Sequence, residues 1–414
     1  MRAKKFLTVA ILSVLFAVSC KQDAIFYIIA TETAPIKPRV EGAPTNMVVF
    51  NRTYSGRTVP IMYVASGRLH WYAKEQNTNE CQWDSNEYLI PQPGGKIISL
   101  TAAGDRLYVL SLNDHGMSTT LRYIESGGNE WKTVRSEAPD YPLIQSIYAD
   151  PETTRLFAGA AKNDRNRATY AILYLDNADN NNSNYPLRLL KGDTSIFSGV
   201  AYRKDEDTYY LSTKGDGIFY VREANLANNQ SSVSQLTGKN ADTFMGIIKL
   251  NDNAETVIAV ARNGGALYRV QNSSFEQISG SNGNISTGKY TTGALALWED
   301  KDDPNSKLLV AGIQGGLYST AISSYTHGYV EFILKTDNTL NTEEPRRDPG
   351  KLKSVHDNDR YTASLGKHPI NHLFQVPKSI DPNMTFFAST QTAGLWSYRD
   401  LGQKKGGWQW NAEE

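Results

Sequence analysis

The chain is poor in the features that usually announce a function. Of its 414 residues only Cys20 and Cys81 are cysteines, so a disulfide framework is not what stabilises it. Neither sign of charge prevails: 43 Lys and Arg stand against 43 Asp and Glu. That balance excludes the basic footprint of a nucleic-acid binder. Beyond residue 18 no uncharged apolar run approaches the ~18–20 residues that a spanning helix needs. No GxSxG elbow, HExxH pair or phosphate-cradling GxxxxGK[ST] loop occurs. Nothing positive in the sequence therefore speaks for an enzyme, and no cofactor is implied.

What is present begins at the N-terminus. Arg2, Lys4 and Lys5 precede the apolar run FLTVAILSVLFAV (6–18), which is of signal-peptide length and too short to span a membrane. Ala17 and Ser19 then lead into Cys20, and this resembles the lipobox of bacterial lipoproteins. The resemblance implies a cleaved signal over 1–19, a diacylated Cys20, and a tether over 20–45. Such a chain is anchored without spanning, since each buried CH₂ contributes about 0.8 kcal/mol and two or three acyl chains add up. It also implies residence at the bacterial cell envelope, on the outer membrane or cell surface rather than the inner membrane. Loss of the leader's three cations leaves the mature chain slightly acidic. With Cys20 lipidated, Cys81 has no partner, and the fold must be held by its own core.

The length would ordinarily suggest two or three domains, but a repeat resolves that. An apolar strand, a polar turn, a second apolar strand, a Gly-containing turn and a third strand ending in an aromatic recur through the chain. TFMGIIKLNDNAETVIAVARNGGALYRV (243–270) and TTGALALWEDKDDPNSKLLVAGIQGGLYST (291–320) are the clearest copies. The markers Trp71, Tyr123, Tyr174, Phe219, Tyr268, Tyr318 and Trp396 fall at intervals of about 50 residues, the last interval longer. Fourth strands are read at 88–90, 131–134, 187–190, 233–236, 275–278, 329–334 and 408–410. The second strands are continuous apolar runs, as sheets covered on both faces require. The expected fold is all-β: a seven-bladed β-propeller of four-stranded antiparallel blades over 46–414, with an insertion at 335–367 between blades six and seven. AIFYIIATE (24–32) is a spare strand, and either it or WQW (408–410) takes the outer position of the closing blade.

YIESGGNEWKTV (123–134) resembles the Asp box of sialidase-type and bacterial assembly-factor propellers, with Gly128 and Trp131 matching. Glu130 replaces the usual threonine and Ser126 the aspartate. The resemblance supports a propeller fold and transfers no catalytic site. A sialidase's arginine triad and Tyr/Glu pair cannot be assigned, and the tryptophan-docking motifs of quinoprotein propellers are absent.

His368 and His372 (HPINH) are four residues apart, but Pro369 and the strand-like INHLF argue against a helical metal pair and for a polar start to a strand. EDKDDPN (299–305) lacks the glycine and distal Glu of an EF-hand and reads as a solvated turn. Turns between strands one and two are acidic: Asp150, Glu152, Asp205, Glu206, Asp207, Asp252, Glu255, Asp300, Asp302, Asp303 and Asp381. Local turn chemistry alone accounts for many such residues. Turns between strands two and three carry Lys162, Arg165, Arg167, Lys214 and Arg262, diluted by Asp164 and Asp216, and the insertion adds Arg346, Arg347, Lys351, Lys353, His356 and Arg360. DNADNNNSN (176–184) reads as a loop within blade three. The expected function is a non-catalytic protein- or glycan-binding scaffold whose basic face meets an anionic partner. The alternative is a glycan-active hydrolase or lyase with its site at the axial channel mouth.

Overall fold

The computed structural model describes residues 40 and 42–413, apart from 75–79, 85–89, 114–117, 152, 165–166, 176–185, 228–231, 239–242, 251–255, 261–266, 272–273, 279–290, 316–327, 335–339, 347–368, 392 and 401–407. The described residues belong to one unit, Pro38–Glu413. They are nearly all β. The first sheet is β1 (Met47–Tyr54), β2 (Arg57–Ser66), β3 (Arg68–Lys74) and β4 (Cys81–Trp83). The second is β5 (Lys96–Ala103), β6 (Arg106–Leu112), β7 (Thr119–Glu125) and β8 (Lys132–Thr133). The third is β9 (Leu143–Tyr148), β10 (Leu156–Asp164), β11 (Arg167–Leu175) and β12 (Leu187–Thr194). The fourth is β13 (Phe197–Arg203), β14 (Thr208–Thr213), β15 (Ile218–Arg222) and β16 (Ser234–Gln235), with helix α1 (Glu223–Ala227) before its last strand. In the fifth, β17 (Thr237–Gly238) adds a parallel outer strand to β18 (Phe244–Lys249), β19 (Thr256–Val260), β20 (Leu267–Gln271) and β21 (Ser274–Gln277). The sixth is β22 (Thr291–Glu299), β23 (Lys307–Gly315), β24 (Gly328–Leu334) and β25 (Leu340–Arg346); the seventh is β26 (Ile370–Gln375), β27 (Phe386–Thr390), β28 (Leu395–Asp400) and β29 (Trp408–Ala412).

Each sheet contains a four-stranded antiparallel meander in chain order, the form a propeller blade takes, and only the fifth adds a parallel strand, β17, outside it. The second strands β6 and β14 are buried almost from end to end, which explains their unbroken apolar and aromatic runs. First strands pack on one another in succession, β1 on β5 and so on to β22 on β26, and β26 in turn packs on β1.

A repeated irregularity sets the spacing of these inner strands. In six sheets the first strand carries a β-bulge near its start, at Ile97/Ser99, opposite Gly159/Ala160, and at Phe197/Gly199, Phe244/Gly246, Thr292/Ala294 and Ile370/His372. The residue after the bulge is small in five of them: Ser99, Ser146, Gly199, Gly246 and Ala294. Close approach of the next sheet is the reason. A Cβ on Gly199 would stand 3.2 Å from Ile247 Cγ2, and one on Gly312, opposite Ala294, 2.8 Å from Ile370 Cγ2. His372 is the exception.

The seventh sheet meets the first without the chain running between them. Leu395 N donates to Val40 O (3.3 Å) and Gly394 N to Gly42 O (3.1 Å), so the segment leading into β1 lies along β28. Met47, Met62, Val64, Tyr72 and Trp83 pack against Val376, Ile380, Phe387 and Leu395. At the outer end Trp83 Nε1 donates to Glu413 Oε2 (2.7 Å), and Ser397 Oγ bonds the same buried carboxylate.

Six of the seven marker aromatics lie in third strands, but Tyr318 does not. It falls at 316–327, outside the described residues, and the third strand of the sixth sheet is β24, which pairs along β23 from Lys307↔Leu334 to Ile313↔Gly328. Residues 329–334, expected as a fourth strand, are thus the third, and the fourth is β25, inside the expected insertion. The second GGLY copy misled because it imitates the GGALY of the fifth sheet, while a longer hairpin here delays the return strand. The fourth strand of the first sheet is likewise Cys81–Trp83, not 88–90. WQW takes the outer place of the seventh sheet as β29; residues 1–39, with the leader, Cys20 and strand candidate 24–32, lie outside the described residues, as does 176–184.

Candidate binding face

Turns between second and third strands emerge at the same end of every meander as the links from one sheet to the next. Two of these turns share a construction. Thr213 Oγ1 donates to Gly217 O (2.9 Å) and accepts Asp216 N (3.2 Å). Thr390 Oγ1 donates to Gly394 O (2.9 Å) and accepts Ala393 N (2.9 Å). Gly217 and Gly394 adopt φ of 76° and 72°, where a Cβ is disfavoured. The common sequence is S-T-x-x-x-G-(I/L)-(F/W). Asp216 Oδ2 also accepts Ser195 Oγ (2.7 Å), tying the turn to the start of β13.

These turns present some of the expected basic residues. Lys214 N donates to Ile196 O (2.8 Å), fixing the backbone, while its side chain is exposed. Protein still crowds it enough that burial lowers its pKa. Lys162, near the end of β10, is also exposed. Arg167 opens β11, and Arg346 ends β25 in register with Glu331 of β24. Arg165, Arg262, Arg347, Lys351, Lys353, His356, Arg360 and His368 lie outside the described residues.

The first sheet adds a group at this end that its sequence did not suggest. Buried His70 shares Asp84 with Arg68: His70 Nδ1 lies 3.1 Å and Arg68 Nη2 2.9 Å from Asp84 Oδ2, and Arg68 Nε donates to His70 Nε2 (3.3 Å). Burial pushes the Asp84 carboxyl up, but the His70 hydrogen bond and the His70 and Arg68 charges outweigh it and hold the pKa down. Arg68 remains largely exposed above the pair. A histidine, an arginine and an aspartate separated by strand and turn leave no spacing motif to read.

At the opposite end most of the carboxylates among the described residues are consumed locally, while Glu152, Asp252 and Glu255 lie outside the described residues. Asp150, 4 % exposed, accepts Tyr202 N (2.9 Å) at the unpaired edge of β13. Buried Arg203 binds Asp205 (2.6 Å) and Glu206 (3.0 Å), and the Arg203 hydrogen bond is the chief reason the Asp205 pKa is lowered. Asp300 and Asp303 accept the amides of Asp302 and Asn305, closing their own turn in Asx fashion. Asp381 does the same for Asn383 N (2.8 Å). Among the described residues no three His, Cys, Asp or Glu side chains converge as a metal site would require. Arg52, Arg106 and Arg155 are buried clamps as well; Arg155 binds Glu223 at 2.5 Å, and Arg52 Nη1 donates to Ser126 O (2.8 Å). That last bond holds the Ser126–Trp131 turn between β7 and β8. A cleft of about 280 Å³ opens at this end, lined by Asp150, Pro151, Val200, Ala201, Ile247, Ile248 and Lys249.

Sheet and turn together define an all-β repeat protein built from successive four-stranded antiparallel sheets. Among solved structures the chain is similar to YCF48 from Cyanidioschyzon merolae, at 11% sequence identity and a TM-score of 0.48, over 87% of this chain and 97% of that one. No protein-family profile matches the chain, and no curated protein does.

Proposed function

We propose that the chain is a lipid-anchored, seven-bladed β-propeller of the bacterial cell envelope that serves as a non-catalytic binding scaffold. Its partner is a protein or glycan of negative charge, docked on the end that carries the turns between second and third strands. The observation that carries this reading is an asymmetry of availability. Lys162 and Lys214 are exposed cations at the ends of β10 and β14, whereas the described carboxylates of the opposite end are largely spent on turn amides and buried arginines. Rigid presentation of unspent charge steers an anionic partner and lowers the ordering cost of binding it. The inner strands, each packed on the next with β26 on β1, support seven blades in a closed ring.

The test is a double charge reversal, Lys162→Glu with Lys214→Glu, assayed against polygalacturonate and polyglutamate. The native protein is expected to bind at least one polyanion, with affinity falling as salt shortens the Debye length from about 10 Å at 0.1 M. The double variant is expected to bind about tenfold more weakly with an unchanged melting curve. Equal binding by both proteins refutes the face. The second reading, a glycan-active hydrolase or lyase, is favoured by the cleft beside Asp150 and Lys249; turnover of an acidic glycan that Asp150→Asn abolishes would select it.

A further inference from the structure

The seam between the seventh and first sheets differs from the other six in two independent ways. It alone is closed by hydrogen bonds and packing instead of by chain running from one sheet into the next. It also carries His372 at the register position where five other sheets place Ser, Gly or Ala. His372 pairs directly with Ser389 of β27, and both belong to the face of the seventh sheet that bears Phe387. Phe387 packs edge-on against Tyr72 and Trp83, so this face is the one turned to the first sheet. Both His372 Nδ1 and Ser389 Oγ are sealed from solvent without a hydrogen-bond partner. The imidazole stacks on Phe374, with centroids 6.5 Å apart at 17°, and the surrounding seam is apolar: Met47, Val49, Met62 and Val64 from the first sheet, Phe374, Phe387 and Leu395 from the seventh.

We propose that this seam is an acid-sensitive gate, which opens selectively when His372 takes up a proton. The proposal rests on the closed-ring reading. A cation at His372 would find no acceptor for Nδ1 and no counter-charge in the packed cluster, and leaving an unpaired charge buried is strongly unfavourable. The residue as a whole is partly exposed, but Nδ1 is sealed, so bringing water to a protonated Nδ1 requires the two sheets to part.

The other titratable groups on this seam are Tyr72, Lys74, Cys81, Asp381, Glu413 and Arg399. Burial raises Tyr72 and pushes the Cys81 thiol up to about 12, so both stay neutral in acid. Asp381 is held by Thr385 and Asn383 N, and Glu413 by Trp83 and Ser397, with Arg399 3.7 Å away. Burial alone acts on His372 and lowers its pKa from 6.5 to about 4. The folded state thus favours the neutral ring. Closure is fully stable above about 6.5, where the exposed imidazole is neutral too, and weakens as pH falls toward about 4. At pH 5 the opening equilibrium rises by about 30-fold, and the limit well below pH 4 is about 300-fold.

Hydrogen exchange followed by mass spectrometry on the whole soluble chain tests this at pH 7.5 and pH 5, after correction for the intrinsic pH dependence of exchange. The expected result is faster exchange at pH 5 in peptides covering 42–50, 370–376 and 393–399, with the seam between β9 and β13 unchanged. His372→Ser, which installs the residue of the second and third sheets, and His372→Gln, which keeps the size, should each abolish the acid response. Glu413→Gln should leave it in place. Acid-accelerated exchange spread over all seams, or retained in both His372 variants, overturns the gate. Failure of the ring reading looks different: the amides of Gly394 and Leu395 would already exchange freely at pH 7.5.

Discussion

Glu413 offers a direct measure of what holds the outer end of the closing seam. Its carboxylate is 3 % exposed, accepts Trp83 Nε1 at 2.7 Å, and is also bonded by Ser397 Oγ. Hydrogen bonds to a charged group contribute about 1.5–3 kcal/mol each, and a buried donor left unpaired costs about 1–3 kcal/mol. Arg399, 3.7 Å away and 42 % exposed, adds little because solvent screens it. Glu413→Ala should therefore cost about 3–4 kcal/mol, and Glu413→Gln about half as much, since its carbonyl still accepts from the indole. Trp83→Phe removes the donor while keeping an aromatic ring against Tyr72 and Phe387, whose centroids lie 5.0 and 5.8 Å from it. A double-mutant cycle on Trp83→Phe and Glu413→Ala should give a coupling of about 1.5–2.5 kcal/mol. Urea unfolding followed by far-ultraviolet circular dichroism supplies the four stabilities. A coupling below about 0.3 kcal/mol, the level at which independent sites add, would refute the account of this contact.

Gly394→Val should destabilise the seventh sheet by about 1–3 kcal/mol, because φ of 72° is costly for a β-branched residue; a melting temperature equal to the native one would count against it. Cys20→Ser should convert a detergent-partitioning protein into an aqueous one on phase separation, and a variant that still enters the detergent phase would remove the lipid anchor from the proposal.

The parts of the fold written in local pattern were legible. Third-strand aromatics such as Trp71 and Trp396 recur because each must fill the space between two sheets, and the second strands are centred on apolar runs because both their faces are covered. Fourth strands were read unevenly: β8 and β16, two residues each, fall within the expected 131–134 and 233–236, whereas the three-residue Cys81–Trp83 left no alternation to detect and was passed over for 88–90. In the sixth sheet the sequence offers two plausible return strands, and only pairing along β23 chooses between them. The acidic turns were visible as composition, but their meaning was not: Asp300 and Asp303 serve amides two residues on, and Arg203 disposes of Asp205 and Glu206. The features of the closing seam were beyond local reading altogether. Trp83 and Glu413 are 330 residues apart, and His372 acquires significance only beside the small residues of the other sheets.

The way the first sheet is joined to the seventh also fixes where mechanical load would go. A pull on the chain ahead of Val40 can reach β1 only through residues 40–46, and the carbonyls of Val40 and Gly42 are bonded to Leu395 and Gly394. Tension therefore arrives at two backbone hydrogen bonds before it meets the full ladder between β1 and β2. If the proposed lipid anchor and partner hold, drag on that partner would be felt first at this join, leaving the interior of each sheet unloaded until the join gives way.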